Sequence, residues 1–359
     1  MPLIWTAITA HGYGHAAQVA PVLNELGKLV PDLKVILRTT VPPSFFQDRL
    51  TIPWELQSVQ QDVGCIQKGP LEIDVQATWK SHYQFHAGWD QRVAEESKAI
   101  KACNPQVVIA DTPYLALSAG REAGIPTVGL ANLTWSEVLE PFSNPEDSRH
   151  QRLLASIRQA YGLADHALRI APGLPMACFS GITDVGPIAE LAHPRRSELR
   201  DTLGLAHDEQ IVLLGFGGIP LAALPWAAME RMEGYHFIVD GPTPASSERI
   251  HSRGALSYSF RSLLASVDVV MTKPGYGTIV EAVALGLPVV YVRRHNFADE
   301  PPLVAFLMQY GRGEELTSQE FHSGNWLVAL EPLQRVLPSA APPPLTGAAD
   351  AAKYLASFF

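Results

Sequence analysis

The sequence predicts an α/β protein made of two doubly wound units. Short apolar runs alternate with helical patterns from Leu3 onward, and the alternation restarts near residue 195. Each half also carries a Gly-Tyr-Gly turn between an apolar run and a helix, Gly12-Tyr13-Gly14 and Gly275-Tyr276-Gly277. Parallel strands require crossover helices, and strands buried on both faces read as unbroken apolar runs.

The first half begins with the apolar run Leu3–Ile8 and the turn His11-Gly12-Tyr13-Gly14-His15. A helix is predicted over 16–30, with Val19, Val22, Leu23, Leu26 and Val30 on one face, followed by a strand at Lys34–Arg38. A strand over 106–110 ends at Asp111, a helix over 113–123 stops at Gly124, and 126–131 is the next strand. Residues 56–102 are less regular, with His82, Tyr83, Phe85, His86 and Trp89 crowding an amphipathic stretch. The second half gives a helix at Arg196–Leu203 and a strand over 210–214 ending in Gly215-Phe216-Gly217-Gly218. A helix over 225–232, a strand at Tyr235–Val239 and a strand over 267–271 lead to Lys273-Pro274-Gly275-Tyr276-Gly277-Thr278. A helix over 278–285 and a strand at Val289–Val292 close the pattern. The expected domains are 1–186 and 187–345, with 346–359 a terminal helix packing back on the first. In open α/β sheets ligands bind beyond the carboxyl ends of the strands, so two facing units make a deep cleft.

The 359 residues suffice for two domains of ~150 residues each. With 47% hydrophobic and 18% charged residues the chain is neither disordered nor fibrous. Lys and Arg number 27 against 36 Asp and Glu, a net charge of −9, so there is no general attraction to nucleic acid or anionic membranes. Cys65, Cys103 and Cys178 are odd in number and far apart, which fits a reducing cytoplasm better than a disulfide scaffold or structural zinc. The amino terminus lacks a basic signal region, and the apolar stretch 278–292 contains Glu281 and Pro288 and falls short of the ~20 residues a membrane span needs. A cytoplasmic protein without an integral membrane segment is expected.

Five groups of residues carry chemistry. At 273–278, glycines let backbone N–H groups approach an anion at a helix N-terminus, and Lys273 adds a full charge; the spacing is neither a Walker loop nor a dinucleotide fingerprint. Glu281, one turn after Thr278, is suited to accept hydrogen bonds from ribose hydroxyls. Gly217 and Gly218 form a second glycine turn after a strand. His15 stands in the first turn of a helix, which is expected to keep it neutral, and Asp111 ends a strand on the same sheet edge, so the two make a base and its orienting carboxylate. Asp299 and Glu300 follow a strand where sugar hydroxyls would lie. No Asp-x-Asp occurs, and no metal or other cofactor is expected.

Together these pieces resemble the GT-B glycosyltransferases, and more closely the glycosyltransferase-like N-terminal region of plant L-arabinokinases and free-standing bacterial relatives. The resemblance is carried by HGYGHAAQVAPVL, DVGCIQ, VVIADTPYLALSAGREAGIPTVGLANLTW, RSELRDTLGL, LLGFGG, KPGYGTIVEAVALGLPVVYVRRHNFADEP and PLVAFL, in that order along the chain. It implies two facing Rossmann-like domains and inverting transfer of a sugar from a nucleotide-diphosphate donor, UDP-sugar above all, to a hydroxyl acceptor. It assigns His15 and Asp111 to proton transfer, and His11, Gly12, Tyr13 and Gly14 to the acceptor-side loop. Donor binding falls to Gly217, Gly218, Lys273, Gly275, Tyr276, Gly277, Thr278, Glu281, Asp299 and Glu300. Two alternatives on the same scaffold are a non-hydrolysing UDP-sugar 2-epimerase and a non-catalytic sugar-nucleotide binding module.

Overall fold

The computed structural model describes residues 1–217, 224–244, 247–294, 296–333 and 335–359. It contains two parallel sheets. In chain order the strands of the first half are β1 (Leu3–Ile8), β2 (Lys34–Arg38), β3 (Trp54–Gln57), β4 (Gln67–Gly69), β5 (Glu72–Ile73), β6 (Val107–Asp111), β7 (Thr127–Ala131), β8 (His166–Ile170) and β9 (Ile182–Val185). Those of the second half are β10 (Gln210–Gly215), β11 (Tyr235–Val239), β12 (Ile250–Ser252), β13 (Val269–Thr272), β14 (Val289–Val292) and β15 (Gly313–Leu316). The first sheet runs β3-β2-β1-β6-β7-β8-β9, the second β12-β11-β10-β13-β14-β15, and β4 and β5 pair apart as a small antiparallel hairpin.

Both sheets are wound from a middle strand outward, so each has one point where the strand order reverses. In the first it lies between β1 and β6, where Ile8 stands opposite Asp111. In the second it lies between β10 and β13, where Gly215 stands opposite Thr272. A crevice opens at such a point because the two flanking connections leave in opposite directions.

The strands are short and apolar because both faces are covered. Val107, Val108 and Ile109 of β6 and Val289 and Val290 of β14 are fully buried. One apolar cluster continues from the first half into the second. It joins Val19, Val22 and Leu23 of the helix Gly14–Leu29 to Tyr276, Ile279, Val280 and Val283 of the helix Tyr276–Leu285. The helix Gly347–Leu355 lies along the helix Gly14–Leu29 and buries Ala351, Ala352 and Leu355.

Several elements differ from expectation. The region 56–102 is ordered as the β4–β5 hairpin and the helices Val75–His86 and Trp89–Cys103. Its aromatic and histidine residues, weak helix formers in isolation, are held by packing. The helix expected over 278–285 begins at Tyr276, two residues earlier, because extended Gly275 takes the N-cap. The helix expected over 225–232 is only Trp226–Met229.

Candidate active site

The chain leaves β1 through Thr9 to Tyr13 and enters the helix Gly14–Leu29, so His15 is its second residue. Asp111 is the last residue of β6, beside the end of β1. Their side chains meet: His15 Nδ1 lies 2.8 Å from Asp111 Oδ1, with Asp111 buried and His15 nearly so. The carboxylate makes Nδ1 the donor, which leaves Nε2 as an acceptor. The backbone reinforces the pair. Thr9 N–H donates to the Asp111 carbonyl at 3.1 Å. Thr112, directly after Asp111, is held at φ 70° in the left-handed region, and its carbonyl accepts from the Tyr161 hydroxyl at 2.7 Å. Such strain in a non-glycine residue persists only where its surroundings enforce it.

Burial opposes a charge on His15. The Asp111 carboxylate, its hydrogen bond and the charges of Asp62 and Asp299 outweigh that, and the imidazole holds its proton more tightly than a free one. The carboxylate in contact with His15 thus acts in the opposite direction to the helix N-terminus at which the residue stands. Burial likewise raises Asp111 against the pull of His15. Asp111 Oδ2 is buried without a partner among the described residues.

His11 sits in a collar formed by the segment before and within the hairpin. Gln67 Nε2 lies 3.1 Å from His11 Nε2, and Trp135 meets the ring edge-on at 5.3 Å. Gly64, at φ 68°, passes so close that a Cβ there would stand 2.7 Å from His11 Nδ1. Burial, together with His15 and Lys273, drives His11 down to about 4, so it is neutral near pH 7. The collar is anchored by the helix Val75–His86, through His82 Nε2 at 2.9 Å from the Gly64 carbonyl and Thr78 Oγ1, which accepts from Ile66 N–H at 2.9 Å.

The second crevice is a mouth of backbone amides. Gly217, at φ 74°, faces Lys273, whose Nζ would lie 3.5 Å from a Cβ there. Gly218 lies outside the described residues. Lys273 Nζ has no hydrogen-bond acceptor among the described residues, and burial with the nearby Arg294 brings it down to about 8. Gly275 caps the helix, and a Cβ at Gly277 would meet nothing within 4 Å, so space remains in front of Gly277 and Thr278. A half-buried cation beside unused helix N–H groups is suited to an anion.

The Tyr276 hydroxyl and the Glu300 carboxylate are both engaged within the protein. The Tyr276 hydroxyl accepts from Ile188 N–H at 3.0 Å and donates to the Ala171 carbonyl at 2.9 Å, tying the mouth to the end of β8. Glu300 is buried, and its oxygens accept from Arg293 Nε at 2.8 Å and from Arg294 N and Nε at 2.9 and 3.2 Å. Arg294 in turn donates to the Pro274 carbonyl at 2.5 Å. The sequence reading gave Arg294 no role, since an arginine pair after a strand is ordinarily solvated. Asp299 differs from Glu300. It caps the helix Glu300–Tyr310 without using its side chain, and its one contact among the described residues is Arg294 Nη2 at 3.4 Å.

Glu281 is in the second turn of the helix Tyr276–Leu285 with no hydrogen-bond partner among the described residues; burial lifts it to about 7 against Arg261 and Arg49. Arg49 stacks on Phe45 at 4.0 Å, and Tyr13, 54% exposed, stacks on the same ring at 5.2 Å. Gly12 and Gly14 border open space. The two crevices face each other. The charge of Asp299 reaches both His11 and His15, Lys273 and Arg294 act on His11, and Asp111 acts on Tyr276. Sequence reasoning missed Asp62, buried beside His15; the signal was its place in the motif DVGCIQ, ahead of the hairpin.

No family model matches the chain. It is 27% identical to L-arabinokinase of Arabidopsis thaliana over 333 residues, which is 90% of this chain and 31% of that protein. The chain thus spans about a third of the length of this relative. Among solved structures it resembles the glycosyltransferase of kitacinnamycin (TM-score 0.62, 15% identity, 100% of this chain and 99% of that one). UGT71G1 of Medicago truncatula, solved with UDP-glucose, gives TM-score 0.62 and 11% identity over 99% and 98% of the two chains. Phytolacca americana UGT2, solved with UDP-2fluoro-glucose and pterostilbene, gives 0.61 and 14% over 99% and 94%. The chain therefore has the two-lobed GT-B fold of the glycosyltransferases and is related in sequence to L-arabinokinase across nearly its whole length.

Proposed function

We propose that the protein transfers a sugar from a nucleotide-diphosphate donor, a UDP-sugar, to a hydroxyl acceptor with inversion at the anomeric carbon. The observation that carries this reading is the juxtaposition of a hydrogen-bonded His15–Asp111 pair with an amide mouth holding Lys273. The acceptor hydroxyl approaches Nε2 of His15. As its oxygen forms a bond to the anomeric carbon, the proton passes to Nε2 and the bond to the diphosphate breaks. Asp111 fixes the ring and stabilises the imidazolium. Negative charge growing on the leaving diphosphate is met by N–H groups at 275–278 and by Lys273. Glu281 takes the ribose hydroxyls, and Asp299 those of the sugar.

The epimerase alternative needs two carboxylates free around the sugar. Glu300 is engaged by Arg293 and Arg294, which leaves Asp299 alone and counts against it. The solved neighbours that carry UDP-glucose or its fluoro analogue support the choice of donor by analogy of fold.

The test is incubation with UDP-glucose and other UDP-sugars, with and without a panel of hydroxyl acceptors, reading UDP release and product mass. Acceptor-dependent UDP release that His15→Ala abolishes is expected. An isomerised sugar nucleotide formed without acceptor would replace the transferase by the epimerase. Tight UDP binding with no turnover on any acceptor would replace it by a binding module.

A further inference from the structure

A second carboxylate, Asp62, is buried near the His15–Asp111 pair, and the mechanism above does not use it. Its Oδ1 accepts from Thr9 Oγ1 at 2.9 Å and its Oδ2 from the Trp135 indole N–H at 2.7 Å. Both bonds reach His11 in one further step. The Thr9 hydroxyl accepts from His11 N–H at 3.2 Å, and the Trp135 ring meets the His11 ring edge-on. Thr9 also joins Asp111 through its own N–H. Asp62 therefore holds the start of the turn that delivers His15, which the bond from Thr9 to β6 also holds.

We propose that Asp62 is a positioning residue of the base site, which fixes the turn from Thr9 to His15 and sets a second negative charge beside the His15 imidazole. This rests on the reading of His15 as the base. The charged and titratable groups acting on His15 are Asp111 and Asp62 within its own lobe, His11 on the same turn and Asp299 across the cleft. Burial drives Asp62 up to about 6, opposed by the bonds from Trp135 and Thr9 and by His15. A carboxylate kept ionised at that cost by three favourable partners raises the proton affinity of the nearby imidazole.

The experiment is an NMR pH titration of His15 in the full chain, with its resonance assigned by its loss in His15→Gln. Asp62→Asn keeps the shape and removes the charge. The His15 midpoint is expected to fall by roughly one pH unit, while UDP binding, read by calorimetry, stays the same. With an active substrate pair, the acid limb of kcat/KM moves to lower pH by the same interval, because more acid is needed to protonate a weaker base. If Asp62→Asn fails to fold, Trp135→Phe removes one of the carboxylate's two donors and is expected to give a smaller fall in the same direction. A folded variant with an unchanged His15 midpoint overturns the proposal. His15→Ala with full turnover would instead overturn the base reading, and leaves the measured His15 shift standing.

Discussion

The two lobes place their reactive groups at the same topological point and furnish it with opposite chemistry. In the first, the β1–β6 junction carries a histidine and two buried carboxylates, His15, Asp111 and Asp62. In the second, the β10–β13 junction carries glycines, open helix N–H groups and one lysine. Most of the buried side-chain atoms without partners among the described residues also belong to the first lobe, Gln18 Oε1, Asp111 Oδ2 and Asn132 Oδ1 among them. The corresponding atoms of the second lobe belong to Arg249 and Tyr258, neither of them a mouth residue. Moving a proton demands buried, paired charge that tunes an imidazole. Gripping a diphosphate demands close backbone approach and a cation left unneutralised until the ligand arrives.

If this division of labour is right, variants of each lobe separate chemistry from binding. His15→Ala should lower transfer by about 10²–10⁴-fold and leave UDP affinity unchanged in calorimetry. Weakened UDP binding would break the division. Lys273→Met should do the reverse first, reducing UDP affinity by ~1.5–3 kcal/mol, the usual worth of a hydrogen bond to a charged group.

Glu281→Gln sharpens the contrast through pH. The folded-state pKa of Glu281 is raised from 4.5 to about 7, so the parent loses stability as pH rises between those values. The Gln variant does not carry this penalty. Denaturant melts should find it more stable above pH 7 by on the order of 1–3 kcal/mol, discounted for partial exposure. The difference should vanish below pH 4.5, and UDP affinity should fall at every pH. Equal stability at pH 8 would remove the desolvated-carboxylate account.

Tyr276→Phe has the smallest expected effect. It strands Ile188 N–H and the Ala171 carbonyl, costing about 1–2 kcal/mol in urea unfolding. The looser tie between lobes should lower kcat more than it changes UDP affinity. A change in affinity alone would place Tyr276 in the donor mouth rather than between the lobes.

Much of the fold was legible in residue order. Apolar runs at Leu3–Ile8 and Lys34–Arg38 and glycine stops at Gly124 and Gly286 mark strands and helix ends, since burial on both faces and left-handed caps leave direct traces in composition. The site was legible where a residue's neighbours in sequence fix its place, as for His15 at a helix start and Lys273 after a strand. It was illegible where packing decides which of two neighbouring side chains is engaged. Glu300 and Asp299 are adjacent in sequence, yet the first is engaged by Arg293 and Arg294 while the second faces the cleft.

The sequence by itself determined the alternation of strands and helices, hence two parallel sheets, and set glycines at the turns that lead from strand to helix. Tertiary structure alone decided that Asp62 joins the His15–Asp111 pair and reaches His11 by two routes, and that the Tyr276 hydroxyl bridges the lobes. The reason is physical. Local pattern records burial and backbone conformation residue by residue. The proton affinity of a buried group depends on charges that the fold brings together from 96 positions away, as for His15 and Asp111.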